Sequence, residues 1–302
     1  MKDPYLLHMF NPTKNVSPFD VNMAYEAEFD GVIPYTEVNL EDVHHLTQDT
    51  IFSRGPTGVK RTGIFIGGRE FSLALDMLNR AKAAMVPPFE VSVFADPSGA
   101  ITTAAAVVAC IEVSFKKKTS HSLEGKNVYV FGGTGPVGIC AGILASNCGA
   151  NVFLASHQSF KLGQEVADEN NKRFDTNMCG AEFSSDESCL AILQDSDVVI
   201  GTARAGVQVL SRAKLKEAPK LEVAADVNAV PPLGIEGIGV QDNGKELDFT
   251  PRKALGIGAL AIGNVKYKVH HRLFEMMKST DKPLYLGHME AFAVAREYAA
   301  SD

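Results

Sequence analysis

A short apolar strand that turns through glycines straight into a helix narrows the choice of folds for this chain more than any other feature. Asn127-Val128-Tyr129-Val130-Phe131-Gly132-Gly133-Thr134-Gly135-Pro136-Val137-Gly138 has that form. Gly133 is expected to allow the tight turn, Gly135 to let backbone approach phosphates, and Gly138 to let the helix pack closely on the strand. The helix start offers unpaired N–H groups and a positive dipole end, so a dinucleotide pyrophosphate suits this turn, with Thr134, Pro136 and Val137 around it. A purely structural strand-to-helix turn would use the same glycines. The second strand, Asn151 to Ala155, follows at the spacing of a β-α-β unit and favours the cofactor.

Strand-like runs alternate with helical patterns along the whole chain. Tyr5–Phe10, Gly31–Tyr35, Gly63–Ile66 and Glu90–Ala95 read as strands, separated by helices near Pro18–Ala27, Leu40–Thr47 and Phe71–Ala84. A long helix from about Gly99 to Phe115 runs into the polar stretch Lys116 to Gly125. Beyond it come strands at Asn127–Phe131, Asn151–Ala155, Val198–Gly201 and Leu221–Asp226, with helices between them. The alternation predicts an α/β protein of two doubly wound parallel domains, the second a Rossmann-type dinucleotide-binding domain, with the active site in the interdomain cleft. The expected boundaries are 1–118 for a catalytic domain and 119–269 for the nucleotide domain. Helices at His270–Met277 and His288–Ala299, within about 270–302, are expected to return to the first domain. Two glycine-dense connections, Pro231–Gly239 and Leu255–Gly258, suggest backbone near a ligand, although turn geometry alone also explains them.

Composition removes several other classes. With 302 residues, 45% hydrophobic and 22% charged, the chain is globular, and a net charge of −7 argues against nucleic acid and anionic membrane as partners. Lys116-Lys117-Lys118 is expected on a solvated connection. The apolar run Ile101–Phe115 is interrupted by Thr102, Thr103 and Glu112 below spanning length, and no targeting segment is expected at Met1–Pro4, so the location is read as cytoplasmic. Five cysteines without C-x-x-C spacing are expected to be buried free thiols. The pairs His44-His45 and His270-His271 are adjacent, so on a helix each pair splays apart and no metal site is expected.

The end of the second strand decides between the nicotinamide cofactors, because an acid there binds the ribose hydroxyls and repels a 2′-phosphate. Here the strand ends Ala155-Ser156-His157, with Lys161 shortly after and no carboxylate, so Ser156, His157 and Lys161 are candidates to hold a phosphate and NADP is admitted. Thr202 and Ala203, after the strand Val198–Gly201, are further candidates for the cofactor. Asp20 sits in Ser17-Pro18-Phe19-Asp20, which reads as a capping box with proline at the first helical position. Asp96, Ser98, Thr102 and Thr103 follow a strand directly and open a helix, in the crevice where open α/β sheets bind ligands. Lys266 and Lys268 flank Tyr267 on a predicted helix.

Five separated blocks now stand in order: Ser17-Pro18-Phe19-Asp20, Phe94 to Ala106, Gly132 to Gly138, Asp226 to Ile235, and Gly258 to Lys266. Together they resemble the bacterial NAD(P)-dependent methylene-tetrahydromethanopterin dehydrogenases over nearly the full chain. The resemblance implies that Asp20 and Lys266 lie at the pterin site as catalytic residues. It also implies that Asp96–Thr103 lines the pterin cleft and that the Asp226–Gly234 loop approaches the nicotinamide, which adds Asp226 and Asn228 to the candidate cofactor set. NADP-specific members carry an arginine just after the second strand where this chain has Ser156-His157, so use of both NADP and NAD is expected. A homo-oligomer, a trimer or a multiple of it, is implied as well. The related methylene-tetrahydrofolate dehydrogenases share the layout and are the nearest alternative, and a non-catalytic dinucleotide sensor is the alternative outside enzymes.

The implied reaction asks little of conventional acid–base groups. Hydride leaves a carbon held between two nitrogens, whose lone pairs delocalise the charge into an amidinium cation. The protein has to orient the donor carbon and tolerate positive charge, tasks for which a fixed carboxylate such as Asp20 is suited. Lys266 is expected to hold a pterin carbonyl or pair with a carboxylate.

Overall fold

The computed structural model describes residues 3–280 and 282–301. Met1 and Lys2, where the expectation of no targeting segment begins, fall outside them. Two compact units emerge: Met1–Thr102 with Tyr267–Val294, and Thr103–Lys266 with Ala295–Asp302. The divisions fall inside helices, whereas sequence analysis expects one at 118/119, in the polar stretch after the long helix.

The first unit runs β1 (Leu6–Phe10), α1 (Pro18–Glu26), β2 (Gly31–Tyr35), α2 (Asp42–Phe52), α3 (Pro56–Val59), β3 (Thr62–Ile66), α4 (Phe71–Ala83) and β4 (Ser92–Ala95), then opens α5 (Ala100–Thr119). The second contains β5 (Asn127–Phe131), α6 (Pro136–Asn147), β6 (Asn151–Ser156), α7 (Phe160–Phe174), β7 (Cys179–Glu182), α8 (Asp186–Asp195) and β8 (Val198–Gly201). It continues through α9 (Arg212–Leu215), β9 (Val223–Asp226), β10 (Asn243–Glu246) and β11 (Leu255–Ile257). The chain then enters α10 (Ala259–Lys278), adds β12 (Tyr285–Leu286) to the first unit and ends in α11 (His288–Ser301).

Among the described residues the first unit forms a five-stranded sheet in the order β12-β4-β3-β1-β2, parallel throughout. Its strands are apolar without alternation, and β3 is buried along its whole length, as expected of a parallel sheet covered on both faces. The second unit forms a seven-stranded sheet in the order β10-β11-β9-β8-β5-β6-β7, parallel except for the antiparallel edge strand β10. The order reverses at β5, which leads to β6 on one side and lies beside β8 on the other. That reversal is a topological switch point, and a crevice opens at the carboxyl ends of these strands.

Several expectations need correction. The lysines at 116–118 form the last turn of α5, where they complement the negative end of the helix dipole. The helix Pro97–Thr119 is long and apolar enough to cross a membrane, contrary to the estimate from Ile101–Phe115, but 78% of its apolar window is buried inside the fold. Cys179 is exposed and Cys148 is partly so; only Cys110, Cys140 and Cys189 are buried. The second glycine-dense connection is a buried strand, β11. A Cβ at Gly258 would lie 2.0 Å from the Gly239 carbonyl oxygen, and one at Gly234 would lie 2.6 Å from Asp226 Oδ1. Close packing alone therefore requires glycine at both positions, Gly258 against backbone and Gly234 against the Asp226 carboxylate.

Candidate active site and dinucleotide cavity

At the switch point of the second unit, Gly132 is the residue with positive φ, at 77°, so the tight turn belongs to it and not to Gly133. A Cβ on Gly133 would meet the Leu154 Cα at 2.8 Å, and one on Gly138 would meet the Gly132 carbonyl oxygen at 2.7 Å. These two glycines let β5, β6 and α6 close up. Gly135 differs, since its Cβ would meet nothing nearer than 3.4 Å, which leaves space over the turn. Gly135 is also the N-cap of α6 and, having no side chain, provides no cap, with Pro136 just inside the helix. The first-turn N–H groups therefore remain as donors for an anion.

Beside this turn lies a cavity of ≈ 690 Å³, within the range of small-molecule sites. Its walls come from the ends of successive parallel strands: Gly132, Thr134 and Gly135 after β5; His157 after β6; Phe183, Ser184, Ser185 and Asp186 after β7; and Thr202, Ala203 and Arg204 after β8. Val207, Gln208, Val209 and Lys214 close it. Lys214 pairs with Asp186 at 2.7 Å, and that contact raises the lysine pKa. Glycine turn, open helix start and a cavity of this size fit the adenosine and pyrophosphate of a dinucleotide.

Five of the expected cofactor residues thus line the cavity: Thr134, Gly135, His157, Thr202 and Ala203. The others are placed differently. Ser156 is 1% exposed, and its hydroxyl accepts from the Gln158 N–H at 3.1 Å, organising its own turn. Lys161 has an 84% exposed side chain and pairs with Glu165 at 3.7 Å. Asp226 is buried and receives the Asn228 N–H at 3.0 Å and the Ile235 N–H at 2.9 Å. Burial raises its pKa, and the N–H groups of Ile235, Asn228 and Gly234 oppose that rise. Asn228 accepts from Val230 N–H at 2.9 Å and donates to the Pro232 carbonyl at 3.1 Å. Asp226 and Asn228 therefore fix the shape of the loop after β9.

In the first unit, Asp20 lies in the first turn of α1 and is 3% exposed. Ser17 is the N-cap, but its side chain makes no cap hydrogen bond, so the expected capping box does not form. Asp96 and Thr102 are both 0% exposed and bind each other: Asp96 Oδ1 receives the N–H groups of Ile101 and Thr102, and Oδ2 receives the Thr102 hydroxyl at 2.6 Å. They brace the start of α5. Ser98 is exposed, in the left-handed region at φ 51°, with its hydroxyl donating to the Gly68 carbonyl at 2.7 Å, and Thr103 is half-buried. Of the four expected substrate residues, Ser98 and Thr103 are those with surface to offer. Lys266 is half-buried on α10.

Sequence analysis missed Gly132, the wall after β7 and the pair Asp186–Lys214. Cys179-Gly180-Ala181-Glu182 has neither alternation nor a β-branched residue, so nothing marks it as a strand. Gly180 is there because α7 presses on it: a Cβ would lie 2.3 Å from the Gln164 backbone nitrogen.

Comparison with known proteins agrees with this geometry. The family described as methylene-tetrahydromethanopterin dehydrogenase, N-terminal, matches residues 18–98. The NAD(P)-dependent methylenetetrahydromethanopterin dehydrogenase of Methylorubrum extorquens is 46% identical over 97% of this chain and 98% of its own length. The bifunctional protein MdtA of the same organism is 33% identical over 97% of this chain and 99% of its own. Among solved structures, shikimate 5-dehydrogenase from Listeria monocytogenes, itself in complex with shikimate and NAD, superposes with a TM-score of 0.52 at 12% identity, covering 99% of this chain and 96% of that one. This likeness concerns the fold. Full-length identity at the level of the first relative places the chain by descent: it belongs to the family of NAD(P)-dependent methylene-tetrahydromethanopterin dehydrogenases.

Proposed function

We propose that this chain is an oxidoreductase that moves a hydride from methylene-tetrahydromethanopterin to NAD(P)+, giving methenyl-tetrahydromethanopterin in one-carbon metabolism. The observation that carries this function is the 46% identity sustained over 97% of the chain. The cavity beside Gly132–Gly135 agrees with it, because it offers the glycine turn and open helix start that a dinucleotide requires.

Bound NAD(P)+ supplies the hydride acceptor. The chain's own contribution is orientation and electrostatics. The carboxylate of Asp20, nearly excluded from water, is suited to stabilise the cation that develops as hydride departs. We assign Lys266 to a pterin carbonyl, with Ser98 and Thr103 as further substrate contacts. Asp96 and Thr102 act indirectly by holding the start of α5, and Asp226 and Asn228 by holding the loop after β9. A cytoplasmic enzyme fits the five free thiols, and a homo-oligomer, a trimer or a multiple of it, is proposed for its assembly.

The deciding experiment follows absorbance at the reduced-nicotinamide band with methylene-tetrahydromethanopterin or methylene-tetrahydrofolate and either cofactor. Turnover with the methanopterin carrier is expected. Faster turnover on the folate carrier would reassign the substrate, and none on either would leave a dinucleotide-binding protein without this activity. Light scattering that returned a mass near 32.4 kDa would refute the oligomer.

A further inference from the structure

The geometry points to Glu182 as a cofactor-specificity residue: its carboxylate takes the place of the acid missing from the end of β6, accepting a ribose 2′-hydroxyl and resisting a 2′-phosphate. This inference rests on the assignment of the cavity as the adenosine end of the NAD(P) site.

β6 and β7 are parallel neighbours with Ser156 opposite Glu182 in register, and the Phe183 N–H donates to the Ser156 carbonyl at 3.0 Å. Glu182 therefore leaves the sheet at the same rim as Ser156, one strand over from the position where dinucleotide folds place their ribose-binding acid. Its carboxylate is held on both sides. One oxygen receives the Phe160 N–H at 2.9 Å, and the other receives the Ser184 hydroxyl. These two hydrogen bonds hold its pKa below the ordinary carboxylate value, so it is ionised at neutral pH. Ser184 and His157 line the cavity, and the Glu182 carboxylate, which is not itself part of the lining, adjoins that wall through its hydrogen bond from Ser184.

Of the cations near this rim, Arg204 and Lys214 line the cavity, Lys214 held by Asp186, whereas Lys161 at the start of α7 is not part of the lining. Lys161 pairs with Glu165, and the Phe160 N–H in the first turn of α7, a natural phosphate donor, already serves Glu182. Ser156, which sequence analysis makes a phosphate ligand, turns its hydroxyl onto its own backbone. A carboxylate at this rim favours NAD, while Arg204 in the cavity wall still admits NADP.

A bland role for Glu182 is to cap α7, and the two roles separate by charge. Full-length wild type and Glu182→Gln are titrated calorimetrically with ADP-ribose and with 2′-phospho-ADP-ribose, which requires no pterin. In Glu182→Gln the ratio of the two Kd values should move by about 10-fold in favour of the 2′-phosphorylated ligand. A cap alone would weaken both equally, and an unchanged ratio overturns the inference while leaving the cavity assignment intact. Wild type that bound neither ligand would remove both. If Glu182→Gln does not fold, Glu182→Ser removes the charge with a shorter side chain, with the same expected shift in the ratio.

Discussion

The Nδ1 of His270 lies 2.9 Å from Oδ2 of Asp96 across 174 residues of chain, and both side chains are 0% exposed. The contact joins α10 to the start of α5 within the first unit, which explains why Tyr267–Val294 counts with residues from the other end of the chain. Around it the rings of Phe65, Phe94 and Phe274 pack at 5.0–5.9 Å from the imidazole, and Phe19, the neighbour of Asp20, meets it edge-on at 5.5 Å. An apolar shell of this kind makes the polar centre costly to leave half-made.

Removing the carboxylate should therefore be severe. Asp96→Ala removes at once the acceptor of the Ile101 and Thr102 N–H groups, the nearer acceptor of the Thr102 hydroxyl and the carboxylate beside the His270 ring nitrogen. We expect a loss of about 3–5 kcal/mol, as for other broken buried pairs. Chemical denaturation would measure it, and a midpoint near wild type would show the network to be dispensable.

Asp20 separates capping from catalysis in a way the sequence leaves ambiguous. Because Ser17 makes no cap hydrogen bond, Ser17→Ala should cost well under the ~1 kcal/mol typical of a working cap. Asp20→Asn keeps the shape and removes the charge, so kcat should fall on the order of 10²–10³ with little change in Tm. Near-normal kcat in a folded Asp20→Asn protein would return this residue to a structural role.

The parts legible in the sequence are those written in local patterns. The strand β5, the glycine turn and α6 announce themselves because a buried parallel strand is uniformly apolar and the turn needs residues without side chains. The wall after β7 is not legible in the sequence, since only the register that sets β7 beside β6 brings Phe183 and Ser184 to the cavity. The brace of Asp96 by His270 was hidden for the same reason: no periodicity relates residues so far apart. Ser156 shows what a local pattern leaves out: its position at the end of β6 is readable, but not that its hydroxyl oxygen accepts the Gln158 N–H of its own turn.

Glycines that look alike in sequence should respond oppositely to alanine. Gly138→Ala would put a methyl 2.7 Å from the Gly132 carbonyl oxygen and the Gly133 Cα, so the phosphate turn has to move. Its affinity for ADP-ribose is expected to fall by roughly 10-fold or more, the equivalent of about 1.4 kcal/mol. Gly263, inside α10, has nothing within 4 Å of its would-be Cβ, so Gly263→Ala should stabilise by about 0.5–1 kcal/mol through helix propensity. Calorimetric titration and thermal melting test the pair, and a tolerant Gly138 would contradict the packing described for the turn.

The five thiols should divide by environment. Alkylation proceeds through the thiolate, so both access and pKa matter. Cys179 is exposed at the first position of β7, whereas Cys148 is part-buried and its pKa is pushed up to about 12, first by burial and then by the neighbouring Glu112 carboxylate. At pH 8 a thiol of that pKa is ionised to only about one part in ten thousand. Native protein treated with a maleimide should therefore show one fast equivalent, lost in Cys179→Ser, while labelling of Cys148 stays slow and accelerates about tenfold for each unit of rising pH below its pKa. Mass mapping of the labelled peptides identifies the sites, and a fast equivalent that survived in Cys179→Ser would show that another thiol is the accessible one.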